Sequence, residues 1–400
     1  MRILYFSSRD CWPLTTGARI RDYQLALHLS KRATLRYVGL RLSAPSSPAA
    51  DACRVPQTLL QRDRPYSPFN LLRGFIGTQA ITVLNYTSAG IRAELSTILR
   101  QEQPDSVQIE GVHLVEYVAL IRNVCPQARI LADWHNIESE IMRRYAESEH
   151  NPLRKLMALR TAPLIERAEN ELLRTCDAHT VVSARDRERL LLRAPSRRIE
   201  VVPNGVDVDF YSVAGDERPP APRDVLFVGS MDYHANVEAV LWFVRNLWPL
   251  VRARRPEMIF RIVGRDPAPE IRALAAPDIA VTGTVDDIRP FYSNAAATVV
   301  PLRVGGGTRL KILESMAARV PVVSTRLGAE GIEIRDGSDI LLAETPAEIA
   351  ECLLRLSADW ELAERLRNNG HALVRRSYDW PIPGERLYAI HREICNIPRT

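Results

Sequence analysis

Short apolar runs alternate with helix-patterned stretches through both halves of this 400-residue chain, and few folds accept that alternation. In the first half the runs are Arg2 to Ser8, Leu35 to Leu42, Val107 to Glu110, Arg129 to Trp134, Thr180 to Ser183 and Ile199 to Val202. In the second they are Val225 to Gly229, Ile259 to Gly264, Ile279 to Val281, Ala295 to Pro301 and Ile340 to Ala343. Between them Ile20, Tyr23 and Leu27 mark a helix. A long helical stretch follows from Ile141 to Arg174, punctuated by Pro152 and Pro163, and further helices fall at Asn236 to Val251, Asp287 to Asn294, from Pro346, and Ile382 to Ile394. Strands joined by helices in this way predict parallel sheets with right-handed crossovers. The turn Pro203-Asn204-Gly205-Val206-Asp207 and the Pro- and charge-rich segment 212–223 have the composition of a linker. Two α/β domains are therefore expected, 1–203 and 204–380.

Composition narrows the class. With 46% hydrophobic and 25% charged residues the chain is globular rather than disordered. Six cysteines are scattered, without C-x-x-C or nearby histidine, which predicts reduced thiols in a cytoplasmic chain. MRILYFSS enters a strand directly with no signal-peptide pattern, and no apolar run approaches the ~20 residues of a membrane span.

Charge is uneven. Residues 1–200 hold 29 basic and 21 acidic side chains, against 24 and 27 in residues 201–400. A basic first half suits an anionic partner, such as a phospholipid surface or a phosphate-linked acceptor. Nucleic acid is not expected, because no basic run is interleaved with aromatics. Arg143, Arg144, Arg154, Lys155, Arg160 and Arg167 stand near Leu153, Leu156, Met157 and Leu164. That stretch reads either as a membrane-interface helix or as a solvated face over a core stripe.

The chemistry concentrates in Pro301 to Ile332, PLRVGGGTRLKILESMAARVPVVSTRLGAEGI. Gly305, Gly306 and Gly307 let backbone N–H groups approach a ligand closely. Thr308 stands at the expected N-cap of a helix patterned on Leu310, Leu313 and Ala317. A glycine loop feeding a helix N-terminus favours an anion, and Arg309 and Lys311 in the first turn need one. Glu314, one turn on, can accept hydrogen bonds from sugar hydroxyls. The plain alternative is a glycine turn with a solvated basic first turn. His135 directly follows a strand, where ligands of open α/β sheets gather. Gly17 and Arg19 lie on the loop after the first strand. Arg367, outside every motif, reads as a surface residue.

Four stretches, LESMAARVPVVSTRLGAEGI, VVPNGVD (Val201 to Asp207), FVGS (Phe227 to Ser230) and DWHNIES (Asp133 to Ser139), together resemble the retaining family 4 glycosyltransferases, in the branch carrying a GGTRLKxLE donor-site motif. The resemblance implies the GT-B fold, two Rossmann-like domains facing across a cleft, with the last helix, 381–400, crossing back to the first domain. It implies retaining transfer of a sugar from a nucleotide-diphosphate donor to an acceptor hydroxyl in polysaccharide or glycoconjugate synthesis. The acceptor would be a carbohydrate, lipid-linked or small molecule. By this resemblance Gly229, Ser230, Val285, Gly305, Gly306, Gly307, Thr308, Arg309, Lys311 and Glu314 hold the donor. His135 and Glu314 are the catalytic candidates, and Gly17 and Arg19 face the acceptor. No cofactor beyond the nucleotide sugar is implied.

The chain departs from the family pattern at three places. Gly306 stands where the first of two glutamates eight apart is usual, and Ser230 and Ala235 where an arginine and a lysine are usual. Arg309 and Lys311 are expected to supply the missing charge. Asp207-Val208-Asp209 matches a D-x-D metal signature but belongs to the PNGVD turn, so no metal site is expected. A dinucleotide dehydrogenase is disfavoured for want of G-x-G-x-x-G. A sugar-nucleotide epimerase of the same architecture lacks these motifs, and a non-catalytic nucleotide-sugar-binding subunit would differ by failing to hydrolyse donor.

Overall fold

The computed structural model describes residues 1–42, 53–62, 74, 77–149, 151–216, 223–305 and 308–396. The chain forms two compact units, Met1–Pro203 with Trp380–Thr400, and Asn204–Asp379.

Among the described residues the first unit is built on seven parallel strands: β1 (Arg2–Ser7), β2 (Thr34–Arg41), β3 (Gln57–Gln61), β4 (Ser106–Glu110), β5 (Arg129–Trp134), β6 (Ala178–Val181) and β7 (Ile199–Val201). Their order is β3-β2-β1-β4-β5-β6-β7. The central strands are buried along nearly their whole length, as parallel strands covered on both faces must be. The edge strand β3, QTLLQ, buries Leu60 alone and gave no apolar run to read. One face carries Leu4, Phe6, Val38, Ile109 and Ile130; the other carries Ile3, Tyr5, Tyr37 and Leu131 under Trp380, Leu387 and Ile390.

The helix Gly17–Ser30 starts at Thr16, whose hydroxyl accepts from Arg19 N. It lies against the final helix Pro381–Asn396 closely enough that a Cβ on Gly384 would come within 2.5 Å of His28 Cβ. From that final helix His391 reaches into the sheet, 2.8 Å from Ser106 Oγ and 2.9 Å from Gln108 Oε1. Burial lowers its pKa to about 3, so it is a neutral core histidine. The expected long helical stretch is two helices, Glu138–Ser148 and Pro152–Thr175. Pro152 begins the second, where its missing N–H costs nothing, and the helix runs through Pro163.

Among the described residues the second unit holds six parallel strands, β8 (Asp224–Val228), β9 (Ile259–Val263), β10 (Ile279–Val281), β11 (Ala295–Val300), β12 (Val322–Ser324) and β13 (Leu341–Leu342). Their order, β10-β9-β8-β11-β12-β13, repeats the pattern of the first sheet. The presumed linker begins as a helix, Val208–Asp216; residues 217–222 lie outside the described residues.

Candidate functional site

In the first unit the strand order reverses between β1 and β4, and ligands of open parallel sheets sit at carboxyl ends flanking such a point. β4 ends on Glu110, His135 follows β5, and helix Gly17–Ser30 brings Asp22 to the same place. His135 Nε2 lies 2.6 Å from Glu110 Oε2 and 3.2 Å from Asp22 Oδ1. Ser7 Oγ donates to Asp22 Oδ2 at 2.7 Å, and Gln108 Nε2 donates to Glu110 Oε1 at 2.6 Å. Arg9 lies 3.4 Å from Asp22 Oδ2. Two buried carboxylates thus flank one nitrogen of a partly exposed imidazole.

Burial opposes a charge on that ring, but hydrogen bonds to Asp22 and Glu110, and their charges, outweigh it and raise the His135 pKa to about 9. Glu110 is pushed up to about 7 by burial, with repulsion from Asp133 and Asp22 added. The ring is therefore held as an imidazolium. Its Nδ1 has no hydrogen-bond partner among the described residues and remains a donor for a ligand. Behind it the buried Arg21 forms a two-pronged pair with Asp133, 3.0 Å on each arm, and donates to Pro203 O at 3.1 Å. Arg21 and Asp133 are structural, tying helix, strand and the exit of the unit together. Arg19 pairs with Asp10 at 2.6 Å and donates to Thr15 Oγ1 at 2.7 Å, fixing the loop before Gly17.

Asp22, Glu110 and His135 bring possible ligand atoms within 4.8 Å of one another, and among the described residues no other group of three does so. The 2.6 Å contact between His135 and Glu110 is the length of a charge-assisted hydrogen bond, so a shared proton accounts for it.

In the second unit the order reverses between β8 and β11. Gly229 and Ser230 follow β8, and the loop 301–309 follows β11; Gly306 and Gly307 lie outside the described residues. A Cβ on Gly229 would fall 2.7 Å from Asn236 Nδ2 and 2.9 Å from Lys311 Nζ. A Cβ on Gly305, whose φ is +107°, would fall 2.9 Å from Arg309 Nη2 and 3.5 Å from both Ala235 Cβ and Tyr233 Oη. Both glycines make room for cations. Ala235, where the usual lysine is missing, borders the space near the Arg309 guanidinium.

Lys311 Nζ donates to Asn236 Oδ1 at 3.0 Å and lies 4.1 Å over the Phe227 ring. No carboxylate among the described residues forms an ion pair with it. Burial, with repulsion from Arg309 added and only partly offset by Glu314, lowers its pKa to about 7. Glu314 accepts from Tyr292 Oη at 3.2 Å and from the Tyr211 hydroxyl; burial raises its pKa while these bonds lower it.

Thr308 does not cap the helix. The helix is Leu310–Ala317 with Arg309 at the N-cap, so the Thr308 side chain sits one residue too early to reach the first-turn amides. Its Oγ1 is buried without a partner among the described residues. Those amides receive no side-chain cap. Val285 is partly buried against Leu226, Val228 and Tyr292. Gly283 before it needs its φ of +74°. Arg367 is not a surface residue: it is 6% exposed, its guanidinium 5.1 Å over the Trp360 ring.

Sequence reasoning missed Asp22, Glu110, Asn236, Tyr211 and Tyr292. Glu110 alone carried a signal, as a carboxylate closing an apolar strand. A cavity of about 670 Å³ in the first unit, between residues 78–122 and helix Pro152–Thr175, lies apart from these groups. Of its charged lining, Glu171 pairs with Arg174, while Glu116 and Arg122 pair with Arg92 and Asp177 outside the lining.

Two family models match the chain: "Glycosyltransferase Family 4" over residues 58–210 and "Glycosyl transferases group 1" over residues 222–359. Among curated proteins it is 30% identical over 203 residues to the phosphatidyl-myo-inositol mannosyltransferase of Mycobacterium leprae, covering 48% of this chain and 53% of that one. The chain spans about half the length of the curated relatives it matches. Among solved structures it is similar to a sucrose-phosphate synthase from Thermosynechococcus elongatus, with a TM-score of 0.72 at 17% identity over 98% of this chain and 99% of that one. It is also similar to HepE of Anabaena in complex with UDP, with a TM-score of 0.69 at 14% identity over 98% and 100%. At these identities the structural likeness establishes the fold.

Proposed function

Since the chain belongs to the family 4 glycosyltransferases, of GT-B architecture, we propose that it transfers a sugar from a nucleoside-diphosphate donor to an acceptor hydroxyl with retention of anomeric configuration. The observation that carries this reading is Lys311: a partly buried ammonium beside a second cation, without a carboxylate ion pair among the described residues, at the carboxyl edge of a parallel sheet. Such a group is costly unless an anion arrives. A diphosphate supplies that anion, and the uncapped amides at the start of Leu310–Ala317 add dipole and N–H donors.

In this reading Arg309 and Lys311 bind the diphosphate and gain strength as the C1–O bond breaks and its electron pair passes to the leaving group. The acceptor oxygen forms the new bond to C1 and its proton passes to the departing diphosphate. Glu314 holds the donor ribose; its two tyrosine donors fill at most two of about four lone-pair sites. His135, kept charged by Asp22 and Glu110, donates through Nδ1 to the transferred sugar or to charge developing beside it. Gly17 leaves room for the acceptor, a carbohydrate, lipid-linked or small molecule.

The test is a thermal-shift screen of nucleotide sugars followed by donor turnover without acceptor. A ligand at 100 times its Kd stabilises by about 2.7 kcal/mol. Slow hydrolysis of the stabilising donor is expected. Stabilisation without turnover, with or without candidate acceptors, would mark a binding subunit instead, and proton NMR of the product anomer decides retention.

A further inference from the structure

Outside that site the most unusual surface is the start of helix Pro152–Thr175. Residues 151–157 are all exposed, among them Leu153 at 62%, Leu156 at 59% and Met157 at 41%, and Leu159 follows at 53%. Ala158, Ala162, Ile165, Glu169, Leu172 and Leu173 form the buried face of the same helix. The exposed apolar residues therefore turn away from the core, against the ordinary amphipathic arrangement. They are also concentrated, four large apolar side chains within seven residues.

Charge surrounds them. Residues 141–165 hold Arg143, Arg144, Arg154, Lys155 and Arg160 against Glu147 and Glu149. Arg143 is paired with Glu166 further down the helix, and Glu149 accepts from Tyr145 and Asn151. Leu153 to Ile165 contains no acidic residue. Exposed aliphatic side chains interleaved with arginine and lysine match an interface where headgroups are anionic and acyl chains lie just beneath.

Topology places this surface. The helix must finish beside the start of β6, two residues beyond Thr175. Its 24 residues span about 36 Å, whereas the six-residue strand β5 spans about 20 Å. Ser139, soon after β5, donates to Glu169 at 2.7 Å through its hydroxyl. The turns preceding Glu169 thus lie at and past the carboxyl edge of the first sheet, the edge that carries His135.

We propose that the exposed N-terminal turns of helix Pro152–Thr175 dock the protein on an anionic phospholipid surface, with Leu153, Leu156, Met157 and Leu159 entering the interface and Arg154, Lys155 and Arg160 meeting the headgroups. This contact is independent of the transfer reaction, so its test needs no substrate.

The experiment is co-sedimentation of the full chain with vesicles of phosphatidylcholine alone and of phosphatidylcholine mixed with phosphatidylglycerol. Wild-type protein is expected to pellet with the mixed vesicles and to be released as salt rises, since surface attraction is screened within about 10 Å at 0.1 M. Lys155→Ala is expected to weaken binding about fivefold, one headgroup contact's share. The double variant Leu153→Glu, Leu156→Glu is expected to lose binding more than tenfold. Both sites are exposed, so thermal melts should match wild type and the loss cannot be assigned to misfolding. Equal binding to neutral vesicles, no binding to either, or undiminished binding of the double variant overturns the proposal. So does a concentration-dependent dimer in size-exclusion chromatography that the double variant abolishes while vesicle binding is absent, because the face would then belong to a second copy of the chain.

Discussion

Replacing Lys311 by methionine separates the cost of its charge from the use of that charge. The side chain is partly buried against Phe227 with a single hydrogen bond to Asn236, and its pKa of about 7 records the penalty of keeping an ammonium there beside Arg309. Methionine fills similar volume without that penalty, so the unliganded fold should be as stable or slightly more so. Ligand binding should suffer instead. A charge-assisted hydrogen bond to a diphosphate contributes roughly 1.5–3 kcal/mol, which corresponds to about 10- to 150-fold in kcat/KM.

Protonation adds a second signature. Below pH 7 the free-protein Lys311 is already charged, and nucleotide affinity should be flat. Above pH 7 binding must recruit a proton, because the diphosphate raises the lysine pKa, and affinity should fall about tenfold per pH unit until that raised pKa is reached. The assay is calorimetric titration of UDP, GDP and ADP against wild type and Lys311→Met from pH 6 to 9, with melts alongside and the exposed Arg272→Ala as control. Wild-type affinity that is flat across this range, or a Met variant with unchanged kcat/KM, would refute the cradle.

Three further outcomes follow from the same geometry. Glu314→Gln should raise donor KM about tenfold or more while changing kcat less, read by steady-state kinetics, because the neutral amide is a weaker partner for ribose hydroxyls and for Tyr211 and Tyr292. Turnover that depends on charged His135 should hold its plateau until pH approaches 9 and decline as pH rises through about 9; Glu110→Gln or Asp22→Asn should move that decline to lower pH, whereas a merely structural role would leave the profile in place. Transfer should persist in EDTA, and full loss restored by Mn²⁺ alone would turn Asp22, Glu110 and His135 from proton-sharing partners into a metal site.

The two sheets were legible because buried parallel strands leave continuous apolar runs, as at Ala295–Val300 and Arg129–Trp134. β3 was not, since an edge strand with one buried residue leaves no such trace. Pro163 suggested an interruption, yet the helix continues through it. Arg367 misled for a related reason: a long cationic side chain can lie flat on an aromatic ring, and sequence position does not reveal the ring. At the candidate site, local motifs pointed to His135, Lys311 and Glu314. Their partners were hidden because Asp22 meets His135 across more than a hundred residues, and Tyr211 and Asn236 reach the loop cations and Glu314 from separate helices.

The two units use the same strand order to solve opposite electrostatic problems. In the first, His135 is charged because carboxylates at 2.6 and 3.2 Å hold it so, and a ligand need contribute nothing to keep the proton there. In the second, Lys311 is close to losing its proton because burial disfavours its charge, Arg309 repels it and no carboxylate forms an ion pair with it among the described residues. A cation already compensated gains little from a second anion and suits a hydroxyl or a neutral ring oxygen. A cation left uncompensated gains most from a ligand carrying full negative charge. On the proposed function, this charge pairing favours the diphosphate at the Lys311 edge and the sugar and acceptor hydroxyls at the His135 edge. Exchanging those assignments would require breaking the Asp22–His135–Glu110 set to make room for phosphate, at the cost of stranding two buried carboxylates.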